Sequence, residues 1–337
     1  MKKGIRYTLW TVILLALLLT GGGYYMLGYS LRPEGLARSR DVQGSLEYMF
    51  TTYPHLVEWV DSLQQAGALG ELYMESHEGV NLHALYIAGA VPTRRTAVIV
   101  HGYTDNAIRM LMVAYIYNKM MGFNVLLPDL YAHGQSGGDA IRMGWKDRID
   151  VLQWMERADE LFGRHNEEVG EGDSTTYRST GTQMVVHGIS MGAATTMMVA
   201  GEVEHGLWQM PYVKCFVEDC GYTSVWDEFA SELKARFSLP AFPLMHVTNL
   251  LCRLEYGWSF SEASALKQLK KSTRPMLFIH GDKDDFVPTR MVYPLYDTKA
   301  GDKELWVVPG VGHAHACKDY PEEYAQRVRA FVEKYMD

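Results

Sequence analysis

The sequence has few cysteines and no internal repeat. Its four cysteines among 337 residues are too few for a disulfide framework, and no Cys-x-x-Cys pair occurs. Cys215 and Cys220 stand five residues apart in or just after a β-like run, and an extended span of roughly 16 Å lies beyond disulfide reach. We interpret the cysteines as buried apolar thiols. The 31 glycines and 12 prolines show no period, which excludes collagen and repeat arrays.

Basic charge is also scarce. The chain has 32 Lys and Arg against 40 Asp and Glu. Three of the basic residues lie in the first 31 positions, so the remainder carries 29 basic and 40 acidic groups. An acidic body lacks the electrostatic surface that phosphate backbones require. We therefore expect no nucleic-acid partner.

The N-terminus contains no charge between Arg6 and Arg32. A mostly apolar run from Leu9 to Leu27 fills this gap, and about 20 such residues suffice for a helix to cross a bilayer. Aromatic residues at both ends resemble the belts at membrane interfaces: Tyr7, Trp10, Tyr24, Tyr25 and Tyr29. We predict an N-terminal membrane anchor over residues 1–31, a single-pass transmembrane helix that contacts the bilayer through residues 7–29.

A cleaved signal peptide is the alternative for this segment. Its apolar region would be Leu9–Leu19, with cleavage near Thr20–Gly23, but no Ala-x-Ala site and no lipobox cysteine occur there. The sequence therefore favours an uncleaved signal-anchor. Basic residues before the run predict a cytoplasmic N-terminus and a catalytic domain outside the cytoplasm: Lys2, Lys3 and Arg6. Basic residues after the run weaken this bias: Arg32, Arg38 and Arg40.

Residues 67–337 alternate between strand-like and helix-like patterns. The predicted strands are Leu82–Ile87, Thr96–Val100, Asn124–Leu127, Gln183–His187, Lys214–Glu218, Met276–Ile279 and Glu304–Val308. Apolar residues at helical spacing lie between them. This alternation predicts an α/β domain built on one doubly wound, mostly parallel sheet.

Three further segments have distinct compositions. Residues 32–66 are expected to form a polar linker and an amphipathic helix. Residues from about 226 to 274 are rich in apolar side chains and predict a helical cap on the domain. The polar stretch Arg164–Thr182 is predicted to be a surface loop.

The segment Val185–Ala194 carries the strongest chemical signal. An apolar strand meets Gly188-Ile189-Ser190-Met191-Gly192, and small residues of helical character follow. This is the pattern of a nucleophile elbow, in which glycines let neighbouring backbone approach the serine. We predict that Ser190 is a nucleophile and that the Met191 N–H points to a developing oxyanion. A glycine-flanked turn serine without catalytic function is the alternative.

Two later strands run into loops that hold an acid and a histidine. The first loop reads His280-Gly281-Asp282-Lys283-Asp284-Asp285-Phe286-Val287-Pro288, and the second reads Pro309-Gly310-Val311-Gly312-His313. Together with the elbow, these motifs resemble the α/β-hydrolase family over about residues 70–337. The resemblance implies an α/β-hydrolase fold. It also carries the acid of a Ser-His-Asp triad over to Asp284, through the pattern His-Gly-x-x-Asp-x-x-Val-Pro, and the base to His313.

Neighbouring residues leave alternatives for both roles. Asp282 and Asp285 flank Asp284, and Asp219 ends the strand after the elbow, where some members of this fold keep the acid. His315 competes with His313. The remaining histidines of interest are interpreted as loop or strand-end residues: His101, His133, His187 and His280. No metal is expected, because no third ligand with recognisable spacing accompanies His313 and His315.

A second oxyanion donor is implied by the resemblance. Strand Thr96–Val100 enters His101-Gly102-Tyr103, and in hydrolases of this kind the residue after His-Gly donates a backbone N–H. This residue is Tyr103. The segment Pro128–Ser136 resembles the family's Asp-x-Arg-Gly-His-Gly-x-Ser loop, with Tyr131 and Ala132 where Arg and Gly are usual. That loop is structural in most members.

The expected activity is that of a serine hydrolase, close to the esterase and lysophospholipase-like branches of the membrane-anchored bacterial type. It would cleave a carboxylic ester of a small-molecule acyl substrate through an acyl-enzyme, without a cofactor. An aminopeptidase for small peptides or a thioesterase on the same triad is the alternative. A non-catalytic, membrane-tethered binding module is less favoured because no motif is broken. Cap residues such as Phe229 and Phe260 are expected to form core and, in part, an apolar acyl site.

Overall fold

A computed structural model of the chain describes residues 2–163, 166–169, 176–179, 181–204 and 208–336. Its strands are β1 Leu69–Glu75, β2 Asn81–Ile87, β3 Arg95–Val100, β4 Asn124–Pro128, β5 Asn166–Val169, β6 Thr176–Ser179, β7 Gln183–Ile189, β8 Val213–Asp219, β9 Met276–Gly281 and β10 Lys303–Val308. Eight of them form one sheet in the order β1-β2-β4-β3-β7-β8-β9-β10. The sheet confirms each of the strands predicted from the sequence.

The sheet is antiparallel at one edge and parallel elsewhere. Strand β2 pairs antiparallel with β1 and with β4, and every following pair from β4 to β10 is parallel. The prediction of a mostly parallel sheet is confirmed. Strand β1 was not predicted, because it lies at the edge and has no fully buried residue.

Helices cover both faces of the sheet. They are α1 Lys2–Leu31, α2 Gly35–Ser39, α3 Val42–Thr52, α4 Leu56–Gln65, α5 Leu111–Tyr115, α6 Asp147–Phe162, α7 Met191–Ala200, α8 Val225–Phe237, α9 Leu244–Tyr256, α10 Ala265–Leu269, α11 Val292–Thr298, α12 Ala316–Asp319 and α13 Pro321–Glu333. Short 3₁₀ turns at Ile108–Met110 and Thr289–Met291 and a π-helical turn at Ile116–Met120 complete the helical segments.

Two apolar cores lie on opposite sides of the central strands. In β3, Val98 and Val100 belong to the core that includes α6 and α7, whereas Ala97 and Ile99 belong to the core that includes α4 and α13. Side chains alternate across a strand, so a strand between two helical layers must be apolar on both faces. This explains why the central strands were recognisable as continuous apolar runs.

Residues 32–66 contain three helices, α2 to α4, where one amphipathic helix was expected. The helical pattern is interrupted after α3, where Pro54 lacks an N–H donor and its ring prevents the preceding helix from continuing. Met49, Leu56 and Trp59 from this segment are buried in the second core. The division of the chain at residue 32 stays a prediction.

The predicted loop Arg164–Thr182 contains regular structure in its described part. Strands β5 and β6 pair antiparallel, with Asn166 opposite Ser179, so the prediction of a loop was wrong for these two strands. The other residues between 164 and 180 lie outside the described part of the chain.

The segment predicted as a cap, from about 226 to 274, holds α8, α9 and α10. It connects β8 to β9, which are parallel neighbours in the sheet. The segment is therefore helical, as the sequence predicts, and its assignment as a separate cap stays a prediction.

Helix α1 is the described helix that is long and apolar enough to cross a membrane. Its apolar window has a mean hydropathy of 1.6, and 11% of that window is buried. An N-terminal signal sequence has the same two properties. That α1 crosses a membrane therefore stays a prediction.

Candidate active site

The elbow between β7 and α7 holds Ser190 in a strained conformation. Its φ of 58° lies in the left-handed region that non-glycine residues rarely adopt. The Ser190 N–H donates to the Asp219 carbonyl at 2.8 Å, and the Ser190 carbonyl accepts from Ala194 N–H at 3.0 Å. A Cβ at Gly188 would lie 2.1 Å from the Gly192 carbonyl oxygen. Only glycine fits beside the serine, as the motif predicts.

The structure brings Ser190, His313 and Asp284 into one chain of contacts. His313 Nε2 lies 2.8 Å from Ser190 Oγ, and His313 Nδ1 lies 2.7 Å from Asp284 Oδ2. Asp284 follows β9, and His313 follows β10. Because carboxyl ends of parallel strands meet at one edge of a sheet, residues separated by 94 and 29 positions in the sequence converge there.

The Asp284 carboxylate is buried and well supplied with donors. Its Oδ1 accepts from the N–H groups of Phe286 and Val287 at 3.1 and 2.9 Å. Burial raises the pKa of Asp284, but hydrogen bonds from His280 and His313 outweigh this effect and hold the pKa below its usual value. The carboxylate is therefore ionised at neutral pH.

His280 contacts Asp284, and the sequence interpretation missed this contact. Its Nε2 lies 3.3 Å from Asp284 Oδ2 and 2.9 Å from the Val287 carbonyl oxygen. We interpreted His280 as a strand-end residue, although it begins the motif that identified Asp284. Its position four residues before the acid was the available signal.

The alternative acids and the alternative base have other partners. Asp219 accepts a hydrogen bond from the Tyr324 hydroxyl at 3.0 Å, and burial raises its pKa to about 6. Asp282 accepts from Gly310 N–H at 2.7 Å, and Asp285 lines a separate surface cleft. The His315 side chain is 56% exposed and lies 3.9 Å from Asp319.

The two predicted oxyanion donors, Tyr103 and Met191, line the same cavity as Ser190. A Cβ at Gly102 would lie 3.4 Å from Ser190 Cβ, so the backbone before Tyr103 runs directly against the elbow. The Tyr103 hydroxyl points elsewhere and donates to the Ser30 carbonyl of α1 at 2.8 Å. The role of the two N–H groups stays a prediction.

The cavity has a volume of about 800 Å³, which is typical of small-molecule sites. Its walls include Phe229 and Phe286 from the body. Phe260, the other aromatic residue expected near an acyl site, is fully buried against Phe229 with their ring centroids 4.8 Å apart. It supports the wall from behind.

A second buried Asp–His pair joins His83 in β2 to Asp129 in the loop after β4. His83 Nδ1 is 2.7 Å from Asp129 Oδ2, and the same carboxylate accepts from the N–H groups of Ala107 and Gln135. In this loop Ala132 has a φ of 69°, at the position where the related loop usually has glycine. His133 accepts from Thr104 N–H at 3.2 Å. These contacts are consistent with a structural loop.

One group of potential metal ligands includes His313, the predicted base. Ligand atoms of Cys220, Asp284 and His313 lie within 4.8 Å of one another. A thiol binds a metal as the thiolate, but burial raises the pKa of Cys220 far above its usual value. The three side chains therefore fit a metal ion poorly.

Comparison with known proteins identifies the family of the chain. A family model described as Serine hydrolase (FSH1) matches residues 138–314, which is just over half of the chain and includes Ser190, Asp284 and His313. The chain is 28% identical over 246 residues to the uncharacterized protein YqkD of Bacillus subtilis (strain 168), covering 73% of each chain. It is 26% identical over 207 residues to the putative esterase YitV of the same organism, covering 60% of this chain and 72% of YitV.

Among solved structures, the Pyrococcus furiosus esterase Pf2001 is similar, with a TM-score of 0.60 and 22% identity. The alignment covers 80% of this chain and 93% of the esterase. This likeness shows a shared α/β-hydrolase fold. The chain therefore belongs to the Serine hydrolase (FSH1) family and is an esterase-like α/β hydrolase.

Proposed function

We propose that this hydrolase cleaves carboxylic esters through an acyl-enzyme intermediate formed on Ser190. The observation that carries the proposal is the unbroken series of contacts from Ser190 Oγ through His313 to Asp284, at 2.8 and 2.7 Å. This is the arrangement that a serine nucleophile, its general base and an orienting acid require.

In the first half-reaction, Ser190 Oγ attacks the ester carbonyl carbon while His313 Nε2 takes the hydroxyl proton. The N–H groups of Tyr103 and Met191 stabilise the negative charge on the former carbonyl oxygen. When the tetrahedral intermediate collapses, the C–O bond to the alcohol breaks and His313 transfers its proton to the leaving oxygen. Asp284 stays ionised and holds His313 Nδ1–H in place.

In the second half-reaction, water attacks the acyl group on Ser190 and His313 takes a proton from that water. Collapse of the second intermediate releases the carboxylic acid and returns the proton to Ser190 Oγ. Oxygen and proton transfers balance without a cofactor. The likeness to a putative esterase and to a solved esterase favours an ester substrate. The aromatic cavity wall favours an apolar acyl group.

A fluorophosphonate probe tests the nucleophile. The intact protein should be labelled once, at Ser190, and Ser190→Ala should not be labelled while it retains the wild-type melting temperature. The folded wild-type protein remaining unlabelled would refute the proposal. Rates on p-nitrophenyl acyl esters, aminoacyl-nitroanilides and acyl-CoAs then separate an esterase from a peptidase and a thioesterase.

We further propose that α1 is an uncleaved single-pass anchor with the catalytic domain outside the cytoplasm. The exposed apolar residues of its first half and the basic residues at its N-terminal end support this arrangement. The full chain should retain Met1, stay in the membrane pellet during carbonate extraction and be digested by protease added to intact cells. A mature chain that starts near Tyr24 would refute the anchor, and protection until lysis would refute the orientation.

A further inference from the structure

Helix α1 consists of a free half and a docked half. Residues 4–21 are exposed except for the half-buried Leu19, whereas Gly23, Leu27 and Leu31 are buried. These three residues recur at intervals of four and therefore share one face of the helix. At 1.5 Å per residue the free half is roughly 27 Å long, close to the ~30 Å of a bilayer's hydrocarbon core.

The docked half packs side by side with α9. A Cβ at Gly22 would lie 3.3 Å from Leu244, at the start of α9, and a Cβ at Gly23 would lie 2.8 Å from Leu251. At the other end of the contact, the Arg32 guanidinium lies 5.6 Å from the Tyr256 ring centre. The two helices therefore run in the same direction, and the start of α9 marks the level at which α1 leaves the body.

The docked half also forms part of the cavity that contains Ser190. Tyr24, Tyr25, Gly28 and Tyr29 line this cavity. Tyr24 and Tyr25 follow the free half by three and four residues. The cavity wall is thus continuous with the segment proposed to lie in the bilayer.

An exposed aromatic side chain lies where α1 leaves the body. Phe242 is 71% exposed and stands two residues before Leu244, which contacts Gly22. Leu239, in the same connection between α8 and α9, is 43% exposed. Aromatic and apolar side chains at this level suit the membrane–water interface.

We propose that the substrate is a single-chain acyl ester that resides in the membrane and reaches Ser190 along the docked half of α1. The inference rests on the proposed ester hydrolysis and on α1 as an anchor. The acyl chain lies against Tyr24, Tyr25 and Tyr29 while the ester carbonyl reaches Ser190. A cavity of about 800 Å³ takes a molecule of this class.

The test uses the full chain reconstituted in phosphatidylcholine vesicles. Turnover is measured on p-nitrophenyl butyrate in solution and on a monoacylglycerol in the same vesicles. Phe242→Asp should lower the vesicle rate by about tenfold or more, because a charge at the interface opposes contact with lipid, and should leave butyrate turnover unchanged. Phe242→Tyr should retain both activities.

Tyr293→Asp is the matched control, since Tyr293 is a half-exposed aromatic residue on α11 that does not line the cavity. A fall in the vesicle rate for Phe242→Asp alone supports the route. Equal effects of the two aspartate substitutions, or no hydrolysis of the vesicle substrate beside normal butyrate turnover, would overturn the route and leave ester hydrolysis standing. Absence of turnover on both substrates would overturn the proposed function itself.

A separate observation concerns Glu228 on α8. Its side chain is 3% exposed and lines the same cavity, and neither carboxyl oxygen has a hydrogen-bond partner among the described residues. Burial raises the pKa of Glu228 well above its usual value, and the nearby Glu232 and Asp284 charges add to this effect. A neutral carboxyl group both donates and accepts hydrogen bonds.

We infer that Glu228 binds a hydroxyl group on the alcohol part of the substrate. A buried polar group without a protein partner is costly unless a ligand satisfies it. A site built to bind a substrate hydroxyl also discriminates strongly against the analogue that lacks it. This inference adds a free hydroxyl to the proposed substrate class.

The test compares a glycerol monoester with the methyl ester of the same acid. Glu228→Leu should lower the ratio of kcat/KM values, glycerol ester over methyl ester, by about tenfold or more. Glu228→Gln, which still donates and accepts hydrogen bonds, should retain most of the ratio. An unchanged ratio in a folded Glu228→Leu protein would overturn the inference, whereas loss of both activities in Ser190→Ala tests the proposed reaction independently.

Discussion

Asp284–His313 and Asp129–His83 are two buried Asp–His pairs with the same separation. In both pairs His Nδ1 lies 2.7 Å from a carboxylate oxygen. In both, burial raises the pKa of the aspartate, and hydrogen bonds outweigh burial and lower it. Neither the distance nor the state of the acid distinguishes them.

The pairs differ in what the second ring nitrogen meets. His313 has a 20% exposed side chain and places Nε2 against Ser190 at the cavity. His83 has a 2% exposed side chain, and its Nε2 lies 3.3 Å from the Gln135 amide. The Asp–His contact alone therefore does not make a pair suitable for catalysis. The histidine must also be accessible from the cavity and must contact a nucleophile, here the strained Ser190.

The largest expected effect is on turnover in Asp284→Asn. An asparagine cannot compensate an imidazolium and favours the wrong His313 tautomer, so kcat should fall about 10⁴-fold. The melting temperature should change little. Steady-state turnover of p-nitrophenyl butyrate and thermal unfolding of the same preparation provide the check, and a loss below tenfold would show that Asp284 is not the acid.

The matched substitution Asp129→Asn should lower stability and leave turnover nearly unchanged. Its amide nitrogen would face N–H donors of Ala107 or Gln135, and the loss of charge-assisted hydrogen bonds should cost about 3 kcal/mol of unfolding free energy. Turnover per folded molecule should stay within a few-fold of wild type. Urea unfolding combined with active-site titration measures both quantities, and a specific loss of turnover without destabilisation would contradict the comparison.

A comparable effect on stability should appear as a pH dependence near Asp129. Burial lowers the pKa of His133 to about 3, whereas an unfolded histidine titrates near 6.5. The unfolded chain therefore binds a proton first as the pH falls, and wild type loses stability from about pH 6.5 towards pH 3.

His133→Gln lacks this titration. The stability advantage of wild type over His133→Gln should shrink by about 1.4 kcal/mol per pH unit in that range. Urea unfolding of both proteins between pH 7 and pH 4 gives the difference. A difference independent of pH would show that His133 is accessible to protons in the folded state.

The smallest expected effect concerns the loop after β3, which contacts Ser190 through Gly102 and His133 through Thr104. Tyr103→Phe removes the hydroxyl that donates to the Ser30 carbonyl but keeps the backbone N–H proposed for the oxyanion. The unfolding free energy should fall by about 1 kcal/mol, with turnover of a soluble ester nearly unchanged. A loss of turnover comparable to that of Asp284→Asn would show that the hydroxyl itself takes part in the reaction.

Local patterns were sufficient for the central strands and for the elbow. Continuous apolar runs identify strands that are buried on both faces. Gly188 and Gly192 identify the elbow, because backbone packs closely against both positions beside Ser190, which has a positive φ. The edge strand β1 escaped prediction because it has no buried stripe. The break between α3 and α4 was missed because apolar residues on both sides of Pro54 continue the same spacing.

The sequence by itself determined the residues of the motifs, their chain order and the apolar N-terminal run, because short-range sterics and periodicity act within a few residues. Only the tertiary structure decided which of three neighbouring aspartates meets His313, and that Tyr24, Tyr25 and Glu228 line the cavity with Ser190. Some of these residues lie more than a hundred positions apart in the sequence, as Tyr24 and Ser190 do. Their contacts depend on how helices pack over the sheet, and a linear pattern contains no measure of that packing.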